Sequence, residues 1–128
     1  LSGSRFEQVA REMGARVACE VFGDRAYDAN GRLVSRRQPG SVIHDPEIVA
    51  ERVWRMVSEG RVQAITGEWV PVKADTICVH GDSPGAVAIL KRLRESLTAK
   101  GVTLVPIGQV AQQGATAPGG NPLGRPKP

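Results

Sequence analysis

Polar residues that could do acid–base chemistry gather at three places along the chain. Glu20, Asp24 and Arg25 fall in the run Glu20-Val21-Phe22-Gly23-Asp24-Arg25. His80 and Asp82 fall in His80-Gly81-Asp82-Ser83-Pro84-Gly85, and Arg36, Gln38 and the pair His44-Asp45 lie between. Carboxylates, a histidine and an arginine suffice to hydrolyse an amide or ester. A carboxylate or imidazole positions or deprotonates water, and a guanidinium holds a carboxylate or a developing anion. Each position also has a purely structural reading. Asp82 and Ser83 could cap a helix opening near Pro84, Asp45 reads as a cap before Pro46, and His44 reads as a packed or surface histidine. Glu20 could face solvent from its strand, although an acid on a buried parallel strand is harder to explain that way. His80, directly at a strand end and followed by Gly-Asp, is the most suggestive single position. There is no G-x-S-x-G elbow, Walker A loop or H-E-x-x-H helix, and the Gly81–Gly85 turn lacks the Gly-Lys-Ser/Thr ending of a phosphate loop.

The elements that would position these residues are legible from caps and periodicity. Ser4 and Glu7 make a capping box ahead of Phe6, Val9, Ala10 and Met13 at helical spacing, and Gly14 supplies the stop. Arg16–Val21 reads as a strand covered on both faces, and Phe22–Pro39 as a long polar loop with a turn at Asn30-Gly31. Asp45, Pro46 and the stripe Val49, Val53, Met56, Val57 define the next helix, closed by Gly60. Val62–Ile65 and Trp69–Val72 flank Thr66-Gly67-Glu68 as a hairpin, and Ala74–His80 is a second core strand. Ser83-Pro84 opens a helix with Val87, Leu90, Leu93, Arg94 and Leu97 on one stripe, followed by a last strand at Val102–Val105. This alternation predicts an α/β fold with parallel strands and crossover helices, whose ligands sit beyond the carboxyl ends of the strands. So few core strands would leave open sheet edges, so the fold is expected to be incomplete as given. The start at Leu1 points the same way. Residues 1–108 form the domain, and residues 109–128, rich in Gly, Pro and Gln, are expected to be a disordered tail.

The 128 residues carry a net charge of +4, 41% hydrophobic residues and only 4% aromatics, so the core rests on Val, Ile, Leu and Ala. The arginines are dispersed, with neither the basic stripe nor the interleaved aromatics of a nucleic-acid-binding surface. Cys19 and Cys78 lie in apolar runs without metal-ligand spacing and read as free thiols in a reducing cytosol. No apolar stretch approaches bilayer length and no signal peptide opens the chain, so a cytoplasmic protein with no membrane or nucleic-acid partner is expected.

Three segments resemble one family. Glu20-Val21-Phe22-Gly23-Asp24-Arg25-Ala26-Tyr27 is similar to the E-V-F-A-D-R-x-Y segment of the LamB/YcsF family. Gly31-Arg32-Leu33-Val34 with Gln38-Pro39-Gly40-Ser41-Val42-Ile43-His44-Asp45 resembles its G-x-L-V-P-R-S-Q-P-G-A-V-I-H-D. Ala74-Asp75-Thr76-Ile77-Cys78-Val79-His80-Gly81-Asp82-Ser83-Pro84-Gly85-Ala86 resembles its D-T-I-C-V-H-G-D-x-P-G-A. Gly23 stands for the usual Ala, Ser35 for Pro, Arg37 for Ser and Ser41 for Ala; none of these removes a reactive group. The family's N-terminal half, with further Asp- and His-containing motifs and an N-A-D-L-G-E-like start, has no counterpart here.

The resemblance implies the second half of a (β/α) barrel of the glycoside hydrolase/deacetylase type. It implies ATP-dependent opening of the lactam 5-oxo-L-proline to L-glutamate, with ATP and Mg as cofactors and 5-oxoprolinase subunits B and C as partners. In that reading Glu20, Asp24, Arg25, Arg36, His80 and Asp82 line the pocket. Arg25 or Arg36 holds a substrate carboxylate or phosphate, Asp24 or His80 handles water and protons, and Asp82 orients His80. No metal site is assigned to this chain's residues. The alternatives are a metal-dependent amidohydrolase or deacetylase, for which the ligand set present is incomplete, and a truncated non-catalytic binding fragment.

Overall fold

The computed structural model describes residues 1–113. The elements are α1 (Arg5–Glu12), β1 (Glu20–Phe22), α2 (Pro46–Glu59), β2 (Arg61–Gln63), β3 (Trp69–Pro71), β4 (Thr76–Cys78), α3 (Ala86–Ala99) and α4 (Ile107–Gln113). β1 and β4 pair in parallel, with Glu20 opposite Thr76, Val21 opposite Ile77 and Phe22 opposite Cys78. The expected alternation of strands and crossover helices is therefore present as a mixed α/β fold with a parallel pair.

The ladder is shorter than the apolar runs that encode it, because carboxylates replace backbone partners at both ends. Below β1, Asp75 Oδ2 accepts from Cys19 N–H at 2.8 Å, while Asp75 and Thr76 both donate to Cys19 O. Above β4, Gly23 N–H still reaches Cys78 O at 3.0 Å, but His80 N–H goes to Asp24 Oδ2 at 2.8 Å. A side chain that captures a strand's terminal amide ends the strand without leaving that amide unsatisfied.

α2 follows its sequence closely. Asp45 accepts from the amides of Glu47 and Ile48, Pro46 stands in the first turn, and Gly60 ends the helix at φ 64°. Its buried face, Val49, Ala50, Val53 and Met56, meets Ile89, Leu93 and Leu97 of α3, and Val21 joins the same core. Alternation along β1 then turns Glu20 and Phe22 to the opposite, partly buried face of the sheet.

The hairpin forms as expected, with Val62 opposite Val70 and Gly67 at φ 102° in its turn. The long polar loop proves to be pinned. Asp28 Oδ1 accepts from the amides of Asn30 and Arg32, and antiparallel bridges join Tyr27 to Leu33 and Arg25 to Val42.

Other expectations fail for identifiable reasons. Val102–Val105 pairs with no strand, since a strand exists only as a ladder and β4 offers it no register; it walls a groove of about 610 Å³ with Ile77, Leu90 and Leu93. Ser83 does not cap α3. The helix starts after Gly85 at φ 81° with no side-chain cap, and its buried stripe is Ala86, Ile89, Leu93, Ser96 and Leu97. Val87 and Leu90, expected on the inner face, are 81% and 50% exposed. α1 has its Ser4 cap, yet buries nothing, with Phe6 84% and Met13 81% exposed. Of the tail expected at 109–128, residues 109–113 belong to α4, and 114–128 lie outside the described residues.

Candidate functional site

Because β1 and β4 are parallel, their carboxyl ends open on the same side, and the residues just past those ends meet there. Asp24, 1% exposed, follows β1 after Gly23. It accepts from the backbone N–H of His80 at 2.8 Å and from its ring Nδ1 at 2.9 Å. An ionised carboxylate can only accept, so Nδ1 carries the ring proton and Nε2 presents its lone pair. The Phe22 ring stacks on the imidazole at 5.5 Å and 25°, fixing its plane. The His80 side chain is 21% exposed, so the ring keeps access to solvent while its partner acid does not. The result is an acid–base pair in which a buried acid sets both tautomer and orientation.

The bend carrying Asp24 is held from several directions. Gly23 lies so close to α2 that a Cβ there would stand 2.8 Å from Val53 Cγ2. The Asp24 carbonyl accepts from Ile43 N–H, and the buried Tyr27 hydroxyl accepts from Phe22 N–H at 2.9 Å. Burial pushes the Tyr27 phenol up. Arg25, 7% exposed, donates to Val34 O at 2.7 Å and Ser41 O at 3.3 Å. Arg52 of α2 donates in turn to Arg25 O at 3.0 and 3.4 Å. Burial lowers the Arg52 pKa, against the opposing pull of the nearby Tyr27 and Asp24.

At the rim, Arg36 Nη1 meets Asp82 Oδ2 at 3.2 Å, joining the long loop to the turn before α3. Its hydrogen bond holds the Asp82 carboxyl below the usual carboxylate range. Both side chains are more than half exposed, so the guanidinium stays accessible to a ligand.

The structure thus brings Asp24 to His80 and Arg36 to Asp82. The orienting role expected of Asp82 geometrically belongs to Asp24. Arg25 spends its donors on the loop backbone and does not reach the rim. Glu20 sits on the partly buried sheet face, where its charge, after burial, helps raise the Cys78 thiol pKa. His44 is exposed and Asp45 caps α2. Sequence reasoning missed Phe22, Tyr27, Ser41 and Arg52. For Arg52 a signal existed: it falls on the Val49, Val53, Met56 stripe, where a cation has no place unless it serves something buried. Among the described residues no group of three His, Cys, Asp or Glu side chains is arranged to hold a metal ion, and no helix is long and apolar enough to cross a membrane.

Known proteins resemble this chain in sequence and fold. The model of the LamB/YcsF family matches residues 1–112. The chain is similar to the 5-oxoprolinase A subunit of Thermococcus onnurineus (strain NA1), 56% identical over 109 residues that cover 85% of this chain and 43% of the relative. It is also similar to the 5-oxoprolinase A subunit of Mycolicibacterium gilvum (strain PYR-GCK), 54% identical over 104 residues, 81% of this chain and 41% of the relative. The crystal structure of the lactam utilization protein from Thermus thermophilus matches with TM-score 0.75 and 45% identity, covering 81% of this chain and 41% of that one. The chain therefore spans only about two-fifths of the length of these relatives.

Proposed function

The chain belongs to the LamB/YcsF family, and from that premise we propose that it supplies the acid–base pair of an ATP-dependent 5-oxoprolinase, within the A subunit of an enzyme that also requires subunits B and C. The observation that carries the reading is the Asp24–His80 pair at the carboxyl ends of two parallel strands. It supports the expected reading as an arc of a (β/α) barrel, which further strands would complete. The two free thiols, Cys19 and Cys78, suit a reducing cytoplasm.

In this reading Nε2 of His80 takes a proton from the water that attacks the lactam carbonyl of 5-oxo-L-proline, and later returns it to the nitrogen released as the ring opens. Asp24 stabilises the imidazolium formed in between. Arg36 holds the substrate carboxylate or a phosphate, and Asp82 keeps its guanidinium in place until that anion arrives. Arg25 and Glu20 act from behind, on the loop and on the sheet face. ATP with magnesium, when bound, would supply a phosphoryl group to the lactam oxygen, activating a carbonyl otherwise deactivated by amide resonance; after ring opening that group would leave as inorganic phosphate to a second water. The chain's own groups fit a phosphate in kind: the accessible Arg36, and the α3 N-terminus after Gly85, which no side chain caps.

The test is the complete enzyme carrying His80→Ala, assayed for ATP-dependent glutamate release in the presence of subunits B and C. Turnover is expected to fall roughly 10²- to 10⁴-fold. Near-normal turnover in a folded variant would remove His80 from the chemistry.

A further inference from the structure

α2 is an amphipathic helix with one misplaced residue. Val49, Val53 and Met56 are at most 1% exposed and face the core, and Arg52 lies between them on the same stripe. A guanidinium there loses much of its hydration, and such a cation is retained when buried partners compensate it. Those partners can be named. Two of its N–H groups bond the carbonyl of Arg25, the residue that follows Asp24. The nearby carboxylate whose charge favours its ionised form is Asp24.

Asp24 has the complementary problem, a carboxylate with 1% exposure. The groups near the acid are His80, hydrogen-bonded to it, Cys78 of β4, and Arg52 from α2. Arg25, its neighbour, turns its guanidinium to Val34 and Ser41. Arg52 thus stands behind the bend from α2, and its hydrogen bonds to the Arg25 carbonyl anchor the residue that follows Asp24.

We infer that Arg52 is a positioning residue for the Asp24–His80 pair: through the Arg25 carbonyl it holds the bend that directs Asp24 at Nδ1 while His80 exchanges its proton, without touching substrate. The inference rests on the proposed role of the pair, and its test has one arm independent of that role.

That arm is ¹⁵N NMR of the imidazole nitrogens in the full chain above the imidazole titration range, with exposed His44 as internal reference. The parent is expected to show His80 fixed with its proton on Nδ1. Arg52→Gln, which leaves at most one neutral hydrogen bond to Arg25 O where there were two charge-assisted ones, should let the His80 signals average toward those of His44. Arg52→Lys, which keeps a charge-assisted donor, should retain the fixed tautomer. In the complete enzyme Arg52→Gln should lower kcat by about tenfold to a hundredfold with KM changed less than about threefold, and Arg52→Lys should recover most of it. A folded Arg52→Gln with unaltered His80 signals overturns the inference, as does an Arg52→Lys that loses the tautomer equally. If Arg52→Gln does not fold, Arg52→Lys decides: a loss of kcat as large as that of His80→Ala overturns the inference, and retention supports it. A wrong substrate assignment would silence the kinetic arm in the parent too and leave the NMR arm intact.

Discussion

Replacing Asp24 by Ala and by Asn separates its hydrogen bonding from its charge. In the parent, the carboxylate accepts from His80 N–H at 2.8 Å and from Nδ1 at 2.9 Å, in a site 1% exposed. Hydrogen bonds to a charged partner are worth about 1.5–3 kcal/mol each, so losing two in Asp24→Ala should cost about 3–6 kcal/mol and leave the His80 amide without a partner. Against a total stability of about 5–15 kcal/mol, that is a large fraction. Asp24→Asn keeps an acceptor for the amide but turns an NH₂ donor toward the ring. The imidazole must then accept at Nδ1 and carry its proton on Nε2, which removes the free lone pair. Asp24→Asn should therefore lose only about 1–2 kcal/mol, yet lower kcat roughly 10²- to 10⁴-fold, the consequence of a wrong tautomer. Urea unfolding of the full chain, followed by Trp54 and Trp69 fluorescence, reads the first quantity, and glutamate release by the complete enzyme reads the second. An Asn variant as destabilised as the Ala variant, or one that turns over within about threefold of the parent, refutes the reasoning.

Further perturbations address the supports of the site. Tyr27→Phe removes the acceptor of Phe22 N–H, and urea unfolding should register a loss of about 1–3 kcal/mol; a neutral result would mean the amide finds another partner. Gly23→Ala should destabilise by about 1–3 kcal/mol, since the new Cβ would sit 2.8 Å from Val53 Cγ2, and the penalty should shrink in a Val53→Ala background. Additive effects in that cycle would show that the clash is relieved elsewhere. Burial, then Glu20 and Asp24, raise the Cys78 pKa, so its alkylation in a Cys19→Ala background should reach half-maximal rate above the pH typical of a free thiol. Glu20→Gln removes one raising charge and should speed alkylation at any pH below that midpoint; an unchanged rate would place Glu20 away from the thiol.

The sequence by itself determined the local elements that carry their own chemistry. Asp45-Pro46 and Gly60 bound α2 because a cap, a fixed φ and a left-handed stop act within a few residues. The Ser4 cap of α1 and the hairpin at Thr66-Gly67-Glu68 were legible for the same reason. So were the polar clusters at Asp24 and His80, and the family resemblance that ordered them. Tertiary structure decided which of these residues meet. Asp24 and His80 are 56 positions apart, and only the parallel register of β1 with β4 brings them together, assigning Asp82 instead to Arg36. It also decided which apolar stripes are covered, leaving Phe6 and Met13 of α1 exposed while α2 buries its own. Capping and turn chemistry are local, whereas partners for a carboxylate, an arginine or a strand edge come from chain segments whose approach no single stretch of residues encodes.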